Sequence, residues 1–318
     1  MKKEYYINEQ KIRRYKIATI TLAILVPLVG FGVFFLERKH IMLNSNYSLL
    51  DPLRRFVPAE NYLINIQDLR EYLSKLGTQY PDTLSIYYET INSGANISVN
   101  KDLHLFPASL SKLVQAILVV HKIEKGELAW EQTLTATAED LSSDSGTLYE
   151  KGVGTYTIET LLKELIVNSD NTAQNVFRRL LTFSDYVQFQ NETGLQDLYN
   201  EKGFISAKEY TRILRVLYTS SFLKPENSEK ILKYMTRATF KDYLSQGIPE
   251  SVLFAHKYGE NEVEKIFADS GIVYIPGKPY MLTVIIKGKD SSTETRAWAM
   301  SLMKDISEQA YKASIRAK

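Results

Sequence analysis

The stretch Leu-Phe-Pro-Ala-Ser-Leu-Ser-Lys-Leu-Val-Gln-Ala-Ile-Leu, residues 105–118, sets a serine, Ser109, three positions before a lysine, Lys112. Apolar residues then recur with a helical period, so residues 109 to about 124 read as a helix, with Gly126 as a C-cap candidate just past its end. Positions i and i+3 share a helix face, which lets the Ser109 hydroxyl and the Lys112 amine meet at the helix N-terminus. A hydroxyl becomes a nucleophile when a base removes its proton, and a lysine can be that base when burial or a neighbouring cation lowers its pKa. Free N–H groups at a helix start also suit a developing oxyanion. Ser-x-x-Lys occurs four times, starting at Ser98, Ser109, Ser221 and Ser301, so the spacing alone selects no site. A helix cap is the plain alternative for Ser109.

Outward from this stretch the soluble chain reads as α+β. Residues 66–77 are a helix by the spacing of Ile66, Leu69, Tyr72, Leu73 and Leu76. Residues 83–91 and 97–100 read as strands joined by a Ser93-Gly94-Ala95-Asn96 turn. Residues 127–156 are irregular; 157–167, 172–181, 206–218 and 227–235 are helical, and the stretch around Tyr243 is amphipathic. Residues 267–274 and 280–287 are strands, and 293–313 a last long helix. The order predicts one antiparallel sheet drawing strands from both ends of the domain, flanked by helices, with an all-α subdomain between.

Composition narrows the chemistry. The chain has 318 residues, 44% hydrophobic and 24% charged, with a net charge of +2, which gives no case for nucleic-acid binding. The absence of cysteine excludes a disulfide scaffold, a thiolate nucleophile and cysteine-held metals. The histidines at 40, 104, 121 and 256 show no metal-binding pair spacing, and no cofactor is called for. Residues 17–36 carry no charge and match the length of a membrane span. The preceding segment is the more basic flank, which predicts a cytoplasmic tail over 1–16 and an extracytoplasmic domain. No small-x-small site follows Leu36, so an uncleaved signal anchor is preferred to a cleaved signal peptide. Residues 37–60 then read as a stalk and 61–318 as the domain.

Two further signals follow in order: Ser169-Asp170-Asn171 in a turn between helices, and Lys257-Tyr258-Gly259 ahead of the late strand pair. With Ser109-Leu-Ser-Lys112 they make up the Ser-x-x-Lys, Ser-Asp-Asn and Lys-x-Gly set, and the chain resembles the class A β-lactamase and penicillin-binding-protein family. Phe106-Pro-Ala-Ser-Leu-Ser-Lys-Leu, Asn168-Ser-Asp-Asn-Thr-Ala and Asp269-Ser-Gly-Ile-Val-Tyr-Ile-Pro-Gly-Lys-Pro-Tyr match the family's wording at each place, and the resemblance spans about residues 66–315. It implies a β-lactamase/transpeptidase-like fold and acyl transfer through a serine ester, on a β-lactam or a peptidoglycan stem peptide. Ser109 would be the nucleophile, Lys112 its base, and Ser169 the relay towards the leaving nitrogen. Asn171 would bind the substrate amide, and Lys257 the substrate carboxylate while lowering the pKa of Lys112. Tyr258 and Gly259 would line the substrate site, and the N–H groups of Ser109 and Glu260 would form the oxyanion hole.

Two departures stand out. Tyr258 replaces the small hydroxyl residue of the third motif, which weakens the case for a carboxylate ligand. The Glu-x-x-x-Asn signature that activates the deacylating water is missing from the short segment 194–206, where Asp197 and Glu201 are the nearby carboxylates. Acylation with slow deacylation, as in a D,D-peptidase or penicillin-binding protein, and a non-catalytic wall-binding relative therefore both stay open. His256 invites a Ser-His-Asp triad, but the sequence marks no acid partner and Lys112 already fills the base role.

Overall fold

The computed structural model describes residues 13–17, 19–31, 65–196 and 198–316. The stalk expected over 37–60 and the carboxylate Asp197 lie outside the described residues. Two compact units divide the chain, residues 1–56 and 57–318. In the first, Arg13–Phe31 is a helix of 19 residues, long and apolar enough to cross a membrane, with a mean hydropathy of 1.5. Its Thr19 and Thr21 hydroxyls donate to the carbonyls of Tyr15 and Ile17, each at 2.8 Å, which satisfies them inside the helix.

The second unit is built on a five-stranded sheet. Its strands are β1 (Leu84–Thr90), β2 (Asn96–Val99), β5 (Leu253–Asn261), β6 (Ile266–Tyr274) and β7 (Tyr280–Lys287), in the order β2-β1-β7-β6-β5. Every pairing is antiparallel. The strands come from both ends of the domain, as the pattern predicted. Alternation sorts their side chains onto two cores. Leu84, Ile86, Tyr88, Leu282, Val284 and Ile286 face the layer of α1 (Gln67–Gln79) and α8 (Thr293–Ile315). Ala255, Ala268, Ile272, Met281 and Ile285 face the helices between the strands.

Those helices are α2 (Ser111–Glu124), α3 (Ile158–Val167), α4 (Asn171–Leu180), α5 (Phe183–Thr193), α6 (Ala207–Tyr218) and α7 (Pro225–Met235). α2 is enclosed on all sides: Lys112 to Val120 are buried without a break, as in a helix at the centre of a large core. The structure adds elements that periodicity passed over. Residues 127–156 contain a paired ribbon, β3 (Thr133–Ala136) and β4 (Gly154–Thr157). α5 lacks a strong apolar stripe and buries only Phe189. The stretch around Tyr243 forms only a 3₁₀ turn, Leu244–Gly247.

The join between α3 and α4 rests on Asp170. This residue is fully buried, caps α4 by accepting from Ala173 N at 2.8 Å, and accepts from Thr147 N at 2.7 Å and Leu148 N at 2.8 Å. Gly146 makes room for the carboxylate, since a Cβ there would stand 2.1 Å from Asp170 Oδ2. Asp170→Ala removes the partner of three backbone N–H groups, two of them buried. It is expected to destabilise the domain by about 3 kcal/mol, read as a lowered midpoint in thermal unfolding followed by circular dichroism.

Candidate active site

Three segments far apart in sequence meet at the outer edge of β5. The first is the 3₁₀ turn Ala108–Leu110, which leads straight into α2. Ser109 therefore sits in a tight turn one step ahead of the α-helix rather than inside its first turn. Neither turn nor helix has a side-chain cap, so capping is not what Ser109 does. The turn is held by Tyr210 on α6, whose hydroxyl donates to Leu110 O at 3.0 Å, and by Ser111 Oγ donating to Ala108 O at 2.9 Å. Ala108 lies in the left-handed region, φ 48°, an unfavourable conformation for a residue with a Cβ.

The second segment is the turn before α4. Ser169 is also left-handed, φ 53°, and its carbonyl and hydroxyl both meet Lys112. Lys112 Nζ donates to Ser169 O, lies 3.2 Å from Ser169 Oγ, and donates to Asn171 Oδ1 at 2.6 Å. No hydrogen bond joins it to Ser109 among the described residues.

The third segment is β5 itself. The sequence placed Lys257-Tyr258-Gly259 ahead of the strands; the structure puts it inside an edge strand. Lys257 shares its face with Ala255, so it points into the helical layer, and it is fully buried. Its Nζ donates to Ser169 Oγ at 2.8 Å and to Tyr258 O at 2.9 Å. Gly259 lets the strand pass the Ser109 turn: a Cβ there would lie 2.9 Å from Ser109 N and 3.1 Å from Leu110 N. Only glycine admits so close an approach.

Both lysines are shifted. Burial pulls the Lys112 amine down to about 7; the Asp170 carboxylate opposes this and Arg178 adds to it. Lys257 is lowered by burial first and then by repulsion from Lys112, with Asp269 opposing. The resemblance implies that Lys257 depresses Lys112. In the structure burial is the largest cause of the lowering at both lysines.

The remaining candidates separate. Glu201 is exposed in the turn 200–203, where Asn200 Oδ1 accepts from Lys202 N at 3.0 Å and Phe204 N at 2.9 Å. That segment is tied to the stretch leading into the Ser109 turn by paired bonds between Leu105 and Ile205, each 2.9 Å, and the Phe204 and Phe106 rings meet edge to face at 5.9 Å. Glu260 accepts from Tyr243 Oη and from Arg296 Nε at 3.1 Å. His256 does have an acid partner, Asp269 Oδ1 at 2.9 Å from its Nδ1, which sequence reasoning missed because the two sit on neighbouring strands. The pair faces the α8 core with Phe254, on the opposite side of β5 from Lys257, so it forms no triad with Ser109.

The model of the β-lactamase enzyme family matches residues 68–314. The chain is 24% identical over 229 residues to β-lactamase VEB-1 of Pseudomonas aeruginosa, covering 64% of this chain and 77% of the relative. It is 23% identical over 233 residues to the extended-spectrum β-lactamase PER-1 of the same organism, covering 65% and 75%. Among solved structures, a point mutant of PBP-A, an acyl-enzyme complex with penicillin G, superposes with a TM-score of 0.69 at 23% identity, over 78% of this chain and 96% of that one. An ancestral class A β-lactamase gives a TM-score of 0.69 at 20% identity, over 77% and 99%. With a single family covering nearly the whole second unit and the same fold in these neighbours, this chain belongs to the β-lactamase enzyme family, among the class A β-lactamase-like serine hydrolases.

Proposed function

We propose that this protein is a membrane-anchored, extracytoplasmic acyl-transfer enzyme that forms an ester on Ser109 with a β-lactam or cell-wall peptide and breaks it down slowly. The observation that carries the reading is the hydrogen-bonded run Lys112–Ser169–Lys257 beside the Ser109 turn. The apolar N-terminal helix, after a basic flank, supports the anchor and a cytoplasmic N-terminus.

The chemistry follows from these groups. Neutral Lys112 takes the Ser109 proton, and Oγ bonds to the carbonyl carbon. Negative charge on the carbonyl oxygen is held by the N–H groups of Ser109 and Glu260. The carbon–nitrogen bond then breaks. Ser169, which accepts from Lys257, passes its proton to the leaving nitrogen and is reprotonated from Lys112. Asn171 orients Lys112 and the substrate amide, and Gly259 keeps strand and nucleophile close. Slow release is supported by the clamped segment 194–206, where Phe204 packs on Phe106 and Glu201, the carboxylate among its described residues, is exposed. The penicillin acyl-enzyme of the PBP-A mutant supports the same first half-reaction. A binding module without turnover is the second reading, favoured by the Tyr258 ring over Lys257.

Labelled penicillin should attach covalently to the detergent-solubilised chain and not to Ser109→Ala. A wild-type chain that stays unlabelled while a control enzyme is labelled rejects the reading in favour of the binding module. A chromogenic cephalosporin should give a burst of about one equivalent per protein followed by near arrest; steady turnover would sink slow deacylation. Lys112, lowered to about 7, is protonated below that pH and idle as a base. The acylation rate constant should therefore rise about tenfold per pH unit below 7 and level off above it, measured by quenched labelling time courses from about pH 5 to 9.

A further inference from the structure

We propose that Tyr258 makes this site select acyl substrates with an uncharged group, rather than a carboxylate, beside the scissile bond. The inference rests on the acyl-enzyme reading above and adds the substrate class.

Tyr258 leaves β5 on the α8 side and its ring curls round the sheet edge. It stacks on Phe240, with centroids 3.9 Å apart and planes at 9°, while its hydroxyl is turned towards Ser145 and Ser169. Lys257 Nζ lies 4.4 Å from the ring centroid. An ammonium has three N–H groups. Here one goes to Ser169 Oγ, one to Tyr258 O, and the third faces the ring. None is left for a substrate carboxylate, which needs charge-assisted donors to offset its lost hydration.

The surroundings act the same way. Phe240 is braced edge to face by Tyr243 at 4.7 Å. Arg296, 5.9 Å from both rings, is already committed: Nε to Glu260 Oε1 at 3.1 Å and Nη2 to Asp242 Oδ2 at 3.2 Å. The guanidinium is thus held between two carboxylates of the chain itself, with which an arriving carboxylate would have to compete. An ester, an amide or a ring could lie on the Tyr258–Phe240 stack instead.

The test compares benzylpenicillin with its methyl ester on the full chain in detergent, each rate corrected for the compound's alkaline hydrolysis. In both, the Ser109 Oγ–carbon bond forms, the lactam carbon–nitrogen bond breaks and the hydroxyl proton ends on nitrogen. Intact mass gives the acylation rate. Wild type is expected to take the ester at least as fast as the acid. Tyr258→Thr should move the ratio towards the acid by about tenfold or more, while Tyr258→Phe, which keeps the ring, should hold the wild-type ratio. A preference of wild type for the acid of about tenfold overturns the proposal, and so does an unmoved ratio in Tyr258→Thr. Should Tyr258→Thr fail to fold, the wild-type ratio alone decides. If neither compound acylates Ser109, the acyl-enzyme reading has failed and the selectivity falls with it. If Ser109 is acylated with the acid preferred, only the selectivity is lost.

Discussion

Two amines share one hydroxyl: Lys257 Nζ stands 2.8 Å and Lys112 Nζ 3.2 Å from Ser169 Oγ, with all three residues buried. Taking one ammonium out of water costs several kcal/mol, and a second beside it adds repulsion. The arrangement is tolerable when at least one amine is neutral. The partners suit a neutral Lys112: Ser169 O and Asn171 Oδ1 can only accept, which uses its two N–H groups, and the Ser169 hydroxyl, 3.2 Å away, can donate to its lone pair while accepting from Lys257. The same geometry that lets two lysines be buried together leaves one of them able to act as a base.

The rest of the domain holds these groups in register. Lys112 is fixed because α2 is walled in along its length. Ser169 is fixed because Asp170 pins the α3–α4 turn to the loop at Thr147 and Leu148. Lys257 is fixed by the sheet ladder, and Gly259 sets how near that ladder comes to Ser109. The left-handed conformations at Ala108 and Ser169 fall on the two turns that carry the Ser109 and Ser169 hydroxyls. Strained backbone persists where its surroundings over-determine it, and here packed elements supply that constraint.

Most of the fold was legible, because its signals are local. The helical and strand periods found α1, α2, α3, α4, α6, α7 and α8, together with β1, β2, β6 and β7. β5 was missed because its turned-in residues are His256 and Lys257, which carry no apolar alternation; the site overrides the pattern there. α5 escaped because it packs mainly through Phe189. The grouping of Ser109, Lys112, Ser169, Asn171 and Lys257 could be inferred only through resemblance, since nothing in spacing brings together positions that lie on separate elements so far apart in the chain. The His256–Asp269 pair and the Tyr258–Phe240 stack carry no sequence signal at all: each depends on which strand lies beside which.

Forming and breaking an acyl-enzyme draw on different parts of this architecture. The groups suited to forming one belong to α2, the α3–α4 turn and β5, which are core elements with no freedom to drift. Asp170 is consumed by three backbone N–H groups, and the family resemblance places a water-activating carboxylate in the segment 194–206. That segment is short and is stitched to residue 105 by two hydrogen bonds, with Phe204 against Phe106. Among its described residues the one carboxylate, Glu201, is exposed in the turn 200–203, away from that aromatic contact. The slow release proposed above would then follow from how this segment is tied down, and not from any one residue.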